Sequence, residues 1–338
     1  MIKQKNGSLS YYLGKRVLVV GGAGFIGSNL SEELVKCGAK VGIIDGFVEH
    51  TGGSRENIQS ILSEIELYDS RIEDIASLQE IVERFEFIID SMALTSHNFG
   101  VNRPLLDVNI NLLSHLHLIN ALKGTKGKKL IYLGSRGQYG QVTGIITEET
   151  PQIPVDPQGI NKVAAESYFK FYGKKYGFSA ASLRIANCFG ENQRVTGDDV
   201  GLAGSFIRDI LNGKTVEIYG DEFRHKNFVY VKDLVKIILE FGMHDFKGFE
   251  AYNIAGLRVS LKDILDAVIE IAGKGRYAVK SFPDAIKYID TGEAEFSDSK
   301  IKNKVGEFEL HDLRTALANT VRYFEKKVSM EGRDDLAV

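Results

Sequence analysis

The sequence predicts an α/β chain in which a doubly wound parallel sheet is followed by a smaller α/β lid. Three observations carry this. Short apolar runs alternate with amphipathic stretches up to Gly190, the rhythm of strands and helices taken in turn. The first apolar run ends in a glycine turn that leads directly into a helix. After Gly190 the alternation loosens, and shorter strands and helices follow. At 338 residues the chain is long enough for one large and one small domain.

The first strand is Val17 to Val20, an apolar, β-branched run of the kind buried on both faces of a sheet. Gly21, Gly24 and Gly27 follow at G-x-x-G-x-x-G spacing. One glycine permits a tight turn, one lets backbone N–H groups approach a pyrophosphate, and one lets the helix pack closely on its strand. The helix covers about Phe25 to Cys37, with Ile26, Leu30 and Leu34 on one face and Gly38 ending it. Its N-terminus favours an anion. A second strand, Val41 to Ile44, ends in Asp45. An acid at this place, roughly 20 residues after the turn, suits the two hydroxyls of an adenosine ribose and repels a 2′-phosphate. The bound dinucleotide is therefore expected to be NAD rather than NADP. A bare βα turn and a loop-capping Asp are the plain alternatives.

Further strands are expected at Leu62–Tyr68, Phe87–Ile89, Lys129–Leu133 and Ala180–Ile185. Helices are expected near Ile75–Phe85, Leu105–Leu122 and Gln158–Tyr176. Beyond Gly190, helices are read at Ala203–Leu211, from Asp233 onward and at Leu261–Ala272. Short strands are read at Val216–Tyr219, Phe228–Val231 and Tyr252–Ala255, and fraying from about Met330. Residues 1–14 read as a polar extension. The expected domains are 15–190, with returns near 226–256, and a lid from 191–225 and 257–328.

Composition removes several classes. The net charge of −3, with only the Lys126–Lys129 run standing out, argues against a nucleic-acid binder. Two cysteines give no disulfide framework, which suits a reducing, cytoplasmic setting. No apolar run is long enough to span a membrane. The seven histidines show no metal-ligand spacing, so no metal is expected.

The order of landmarks resembles the extended short-chain dehydrogenase/reductase family, the nucleotide-sugar epimerases and dehydratases. They are GGAGFIG at Gly21–Gly27, Asp45, P-x-x-D-x-x-I-N at Pro104–Asn111 and S-x-x-x-Y-G at Ser135–Gly140. Lys162 with Glu166, LRIANCFG at Leu183–Gly190, FVYVKDLV at Phe228–Val235 and YNIAG at Tyr252–Gly256 complete the series. The resemblance implies a Rossmann sheet with a C-terminal substrate-binding lid, NAD as cofactor and a nucleotide-sugar substrate. Hydride transfer is expected at C4, and the enzyme is expected to be a cytoplasmic homodimer. Dimer contacts would lie on the helices Leu105–Leu122 and Gln158–Tyr176.

By the same resemblance Ser135 binds the sugar hydroxyl, Lys162 the nicotinamide ribose, and Asn111 stands near the cofactor. Gly21, Gly24, Phe25, Ile26, Gly27, Asp45 and Ile72 complete the cofactor set; Arg71 occupies a place where an Asp commonly meets adenine. Asn187, Lys226, Arg136 and Arg194 are implied on the substrate side. Asp290 replaces a later arginine and would repel a diphosphate, with Arg194, Arg224 or His225 able to compensate.

One departure dominates. The family's general base is the Tyr of Y-x-x-x-K, and here that slot is Gln158. An amide cannot ionise, so it can position a hydroxyl but not take its proton. Either another base serves, or the chemistry needs no strong base, or the protein binds ligand without turnover. His97, after the fourth strand, is the first substitute considered; Cys188 and Tyr139 are weaker ones. Arg136 and Gly137 stand where 4,6-dehydratases carry Asp and Glu, which disfavours a dehydratase.

Overall fold

The computed structural model describes residues 10–194, 201–283 and 290–334. Seven parallel strands form the main sheet: β1 (Arg16–Val20), β2 (Lys40–Asp45), β3 (Ile65–Asp69), β4 (Phe87–Asp90), β5 (Lys129–Ser135), β6 (Ser179–Ile185) and β7 (Phe249–Ile254). Their spatial order is 3-2-1-4-5-6-7. The order reverses between β1 and β4, and ligands of such sheets bind in the crevice beyond the strand ends at that point.

Successive side chains of a strand face opposite ways. Val17, Val19, Ile43, Ile89 and Ile131 accordingly join one core, with Leu30 and Leu34 of the helix Phe25–Lys36 and Leu234, Ile238 and Phe241 of Val231–Met243. Leu18, Val20, Ile44, Ile88 and Leu130 join the other, with Leu118 and with Ala165 and Phe169 of the helix Pro157–Tyr176. Both faces are covered, which is why the strands read as unbroken apolar runs.

A third core belongs to the later chain. It gathers Phe206, Ile207 and Ile210 of Leu202–Leu211, Ile264, Leu265 and Val268 of Leu261–Ala272, and Leu317, Val321 and Phe324 of Leu313–Asp334. Strands Thr215–Tyr219 and Arg276–Lys280 pair in parallel beside it. Asn187–Phe189, His225–Tyr230 and Leu257–Ser260 form a small three-stranded sheet, with His225–Tyr230 in the middle.

Several expectations need correction. The third strand begins at Ile65; Arg55–Glu64 is helical, capped by Ser54, and buries Ile58 and Ile61 while Leu62 stays outside. The expected helix Ile75–Phe85 shrinks to Leu78–Glu83. The expected helix Leu105–Leu122 is interrupted: Pro104–Val108, a wide π-type turn at Asn109–Leu113, then Ser114–Ala121. Such wide turns gather at functional sites. The stretch after β4 carries a short helix, His97–Asn102. The last helix runs to Asp334, past the expected fraying point. Among the described residues of the stretch read as a polar extension, Tyr12 belongs to the core. Tyr12 is fully buried, donates its hydroxyl to Leu239 O at 2.9 Å and stacks on Phe87. Among the described residues no helix is long and apolar enough to cross a membrane.

Candidate active site

A cavity of 490 Å³ opens at the C-terminal ends of the central strands. Gly21, Gly24, Phe25, Ile26, Asp45 and Ile72 line one part of it; Ser135, Arg136, Gln158, Lys162, Asn187 and Lys226 line another.

The three glycines of the turn are required for different reasons. Gly21 has φ +74°, and a Cβ there would sit 2.9 Å from Met92 N. A Cβ on Gly27 would lie 2.2 Å from Gly21 O, so this glycine sets the approach of helix to strand. A Cβ on Gly24 would meet only Gly21 O, at 3.2 Å, and otherwise enter the cavity. The helix Phe25–Lys36 starts there with no side-chain cap and no acid in its first turn. Its free N–H groups and dipole leave an anion site.

Asp45 ends β2. Its carboxylate accepts N–H bonds from Ala23 and Phe47, both at 2.9 Å. Burial raises its pKa against the pull of those two amides. A carboxylate offers about four acceptor positions, so two amides leave room for ribose hydroxyls. Ile72 lines the cavity with Arg71 and Glu73 beside it; Arg71 donates to Glu73 at 2.7 Å, so its charge is already paired. Asn111 lies one layer behind. It is fully buried, accepts from Leu94 N at 3.0 Å and donates to Leu94 O at 2.9 Å. Its side chain braces the chain after β4 and does not border the cavity.

Ser135, Gln158 and Lys162 come together from the end of β5 and the helix Pro157–Tyr176. Asp156 caps that helix by accepting from Gly159 N, and Pro157 starts it. Positions 158 and 162 are one turn apart and share a face. Gln158 is 4% exposed and donates to Leu94 O at 3.2 Å, while its Oε1 is buried with no partner among the described residues. Lys162 donates to Leu133 O at 2.8 Å and lies over the Tyr132 ring. Burial brings its pKa down to about 8, opposed by Asp90 and Asp107. Ser135 Oγ accepts from Gly137 N at 3.0 Å, and its backbone N–H donates to Gln138 Oε1 at 2.7 Å. Gln138 in turn donates to Glu166, which pairs with the buried Arg184. Sequence reasoning did not connect this network to Ser135; the polar residues spaced along β5, β6 and the helix were its only signal.

The substitute bases divide. Tyr139 is fully buried, away from the cavity, held by Arg184 and donating to Asn253 at 2.7 Å; burial pushes its pKa up to about 12. Cys188 lines the cavity, but burial raises its pKa far above neutrality and keeps it a thiol. His97 opens the helix His97–Asn102; its side chain lies outside the described residues.

At the far end Lys226 donates to Asp290 Oδ1 at 3.0 Å and Gly292 O at 2.6 Å, and Arg224 takes Asp290 Oδ2 at 2.6 Å. Against the upward push of burial, these two cations hold the Asp290 pKa below its ordinary value. Of the three residues read as able to compensate for Asp290, Arg224 is the one in contact with it, and Lys226 joins it, so the charge is taken up and the cluster is net positive. Asn187 lines the same end and donates to Asn227 O at 2.9 Å. Arg194 donates to Thr51 O at 3.2 Å, which places it beside the loop after β2, on the Asp45 side of the cavity. His225 pairs with Glu293 and is not among the lining residues.

Residues 17–255 match the model of the NAD dependent epimerase/dehydratase family. The chain belongs to this family. It is an enzyme of that family, and NAD is the family's cofactor. Over 224 residues, 65% of the chain and 71% of the relative, it is 30% identical to a putative UDP-glucose 4-epimerase of Methanocaldococcus jannaschii. It is 26% identical to a UDP-glucose 4-epimerase of Mycolicibacterium smegmatis, covering 92% of this chain and 99% of that one. Among solved structures it resembles a UDP-glucose 4-epimerase of Thermotoga maritima determined with UDP-glucose. The TM-score is 0.80 and the identity 28%, over 93% of this chain and 99% of that one.

Proposed function

We propose that this enzyme oxidises and re-reduces a nucleotide-activated sugar at C4, as an epimerase or an oxidoreductase, with Lys162 in the proton-transfer role. The carrying observation is the wall formed by Ser135, Gln158 and Lys162 on the cavity into which the glycine cradle opens. NAD bound there would accept a hydride from the sugar carbon and return it. Gly21–Gly27 and Asp45 are the residues that would hold its pyrophosphate and ribose.

The chain's own groups divide the remaining work. Ser135 has a proton left to donate after accepting from Gly137. Gln158 lines the wall and holds Leu94 O through its amide N–H, a positioning role that leaves the proton of the sugar hydroxyl for another group. With its pKa about 8, Lys162 is partly neutral at working pH, and its free amine can take the proton that the amide cannot. Arg136 and Gly137 supply no acid–base pair for eliminating water, so a dehydratase is disfavoured. Named relatives act on UDP-glucose, which supports a nucleoside-diphosphate sugar as substrate.

A homodimer also fits. Leu105, Leu113, Ile160, Tyr168 and Phe171 are exposed on adjoining helices, an apolar surface that a second copy would cover.

The test is turnover of UDP-, GDP-, CDP- and dTDP-sugars by the protein supplemented with NAD. Product from one of them supports the proposal. No affinity for NAD or for any nucleotide sugar would defeat it. The competing reading, binding without turnover, draws on the amide at position 158 and predicts saturable binding with no product.

A further inference from the structure

Arg136 follows Ser135 directly and lines the same cavity. Its Nη1 donates to Gly140 O at 3.0 Å and its Nη2 to Thr291 O at 2.7 Å. Both partners are neutral carbonyls, and they use two of the five N–H groups of a guanidinium. Burial lowers its pKa to about 10, with nearby Asp290 working against the fall, so it stays charged at neutral pH. Among the described residues it has no ion pair, because the two oxygens of Asp290 are held by Lys226 and Arg224. Three cations thus surround one carboxylate, and two positive charges remain for a ligand.

Lys226 and Arg136 stand side by side on consecutive carbonyls of one loop but come from different elements. Lys226 is anchored to Gly292 O and stands on the side of Asn187 and Asn227. Arg136 is anchored one peptide earlier, at Thr291 O, and approaches from the reaction wall beside Ser135. Of the two, Arg136 is the cation next in sequence to Ser135, the residue proposed to meet the sugar. A half-buried guanidinium with donors to spare is matched best by a planar carboxylate.

We propose that Arg136 pairs with a carboxylate on the sugar, so that the substrate is a nucleoside-diphosphate-linked acidic sugar of the uronic acid type. This rests on the nucleotide-sugar reading above. The same positive charge could instead serve the diphosphate, and the experiment separates the two.

The NAD-loaded full chain is titrated with UDP, UDP-glucose and UDP-glucuronate, as wild type, Arg136→Gln and Arg136→Lys. A charge-assisted contact predicts that wild type prefers UDP-glucuronate over UDP-glucose by about tenfold to a hundredfold. Arg136→Gln removes this preference and leaves UDP and UDP-glucose within about threefold of wild type; Arg136→Lys keeps part of it. Equal weakening of all three ligands would assign Arg136 to the diphosphate and overturn the inference. So would a wild type that does not discriminate, a comparison that needs no variant to fold. Failure of every nucleotide sugar to bind would defeat the proposed function itself, a distinguishable result.

Discussion

Replacing Lys162 with Met separates the catalytic from the structural consequences of this buried amine. Lys162 is 3% exposed, and its pKa falls from an ordinary 10.5 to about 8. Holding it charged inside the fold therefore costs about 3 kcal/mol relative to water. The unfolded chain keeps this proton up to about pH 10.5 while the folded chain sheds it near 8, so between those values the unfolded state binds more protons. This group's contribution to stability accordingly rises with pH across that window, and below pH 8 the full cost is present. At pH 7, Lys162→Met removes the cost and loses the bond to Leu133 O, worth about 1 kcal/mol. The expected net change is stabilisation by about 2 kcal/mol, read from the urea midpoint of the NAD-free protein, with the gain shrinking above pH 8. Turnover moves the other way. In the proposed role the neutral amine takes the proton, and its fraction grows about tenfold from pH 7 to 9, so kcat/KM should rise by about that factor in wild type. Activity should vanish in both Lys162→Met and Lys162→Arg. A flat pH profile, or a variant less stable than wild type at pH 7, would refute the reasoning.

Three further outcomes follow from the same geometry. Asp45→Ala should weaken NAD about tenfold or more and narrow its advantage over NADP, measured by titration of both cofactors, because ribose hydroxyls lose a charged acceptor. Gly27→Ala forces a methyl to within 2.2 Å of Gly21 O and should lower stability by about 1–3 kcal/mol and reduce NAD binding, read by thermal melting with and without cofactor. Light scattering should give a dimer mass for wild type and a monomer mass for Phe171→Glu, since that ring is 62% exposed on the proposed contact face; a monomeric wild type would remove the dimer.

Much of this was legible in the chain because it depends on local chemistry. The run Val17–Val20 has to be buried on both sides, and the three glycines and Asp45 fall at spacings set by the strand-turn-helix unit itself. What escaped depends on contacts between distant parts of the sequence. Asp290 reads as a repulsive charge until Lys226 and Arg224, more than sixty residues away, are seen on its two oxygens. Asn111 reads as a cofactor neighbour until its amide is found on the backbone of Leu94. Tyr12 sits in a polar-looking stretch, yet its ring fills the core against Phe87. The wide turn at Asn109–Leu113 leaves no mark on an apolar stripe that reads as one continuous helix. Gln158 is the reverse case: its identity was visible at once, and only the structure showed its side chain buried and its amide held on Leu94 O.

The central claim is that Ser135, Gln158 and Lys162 support hydride transfer without the tyrosine. Its most direct test is to mix NAD-loaded protein with a nucleotide sugar that binds it and to follow reduced nicotinamide by fluorescence while the C4 configuration is read by NMR. Reduction of nicotinamide coupled to a change at C4, strongly slowed in Gln158→Ala and absent in Lys162→Met, is the predicted result. Tight binding of both ligands with no reduced nicotinamide and no change in the sugar would contradict it.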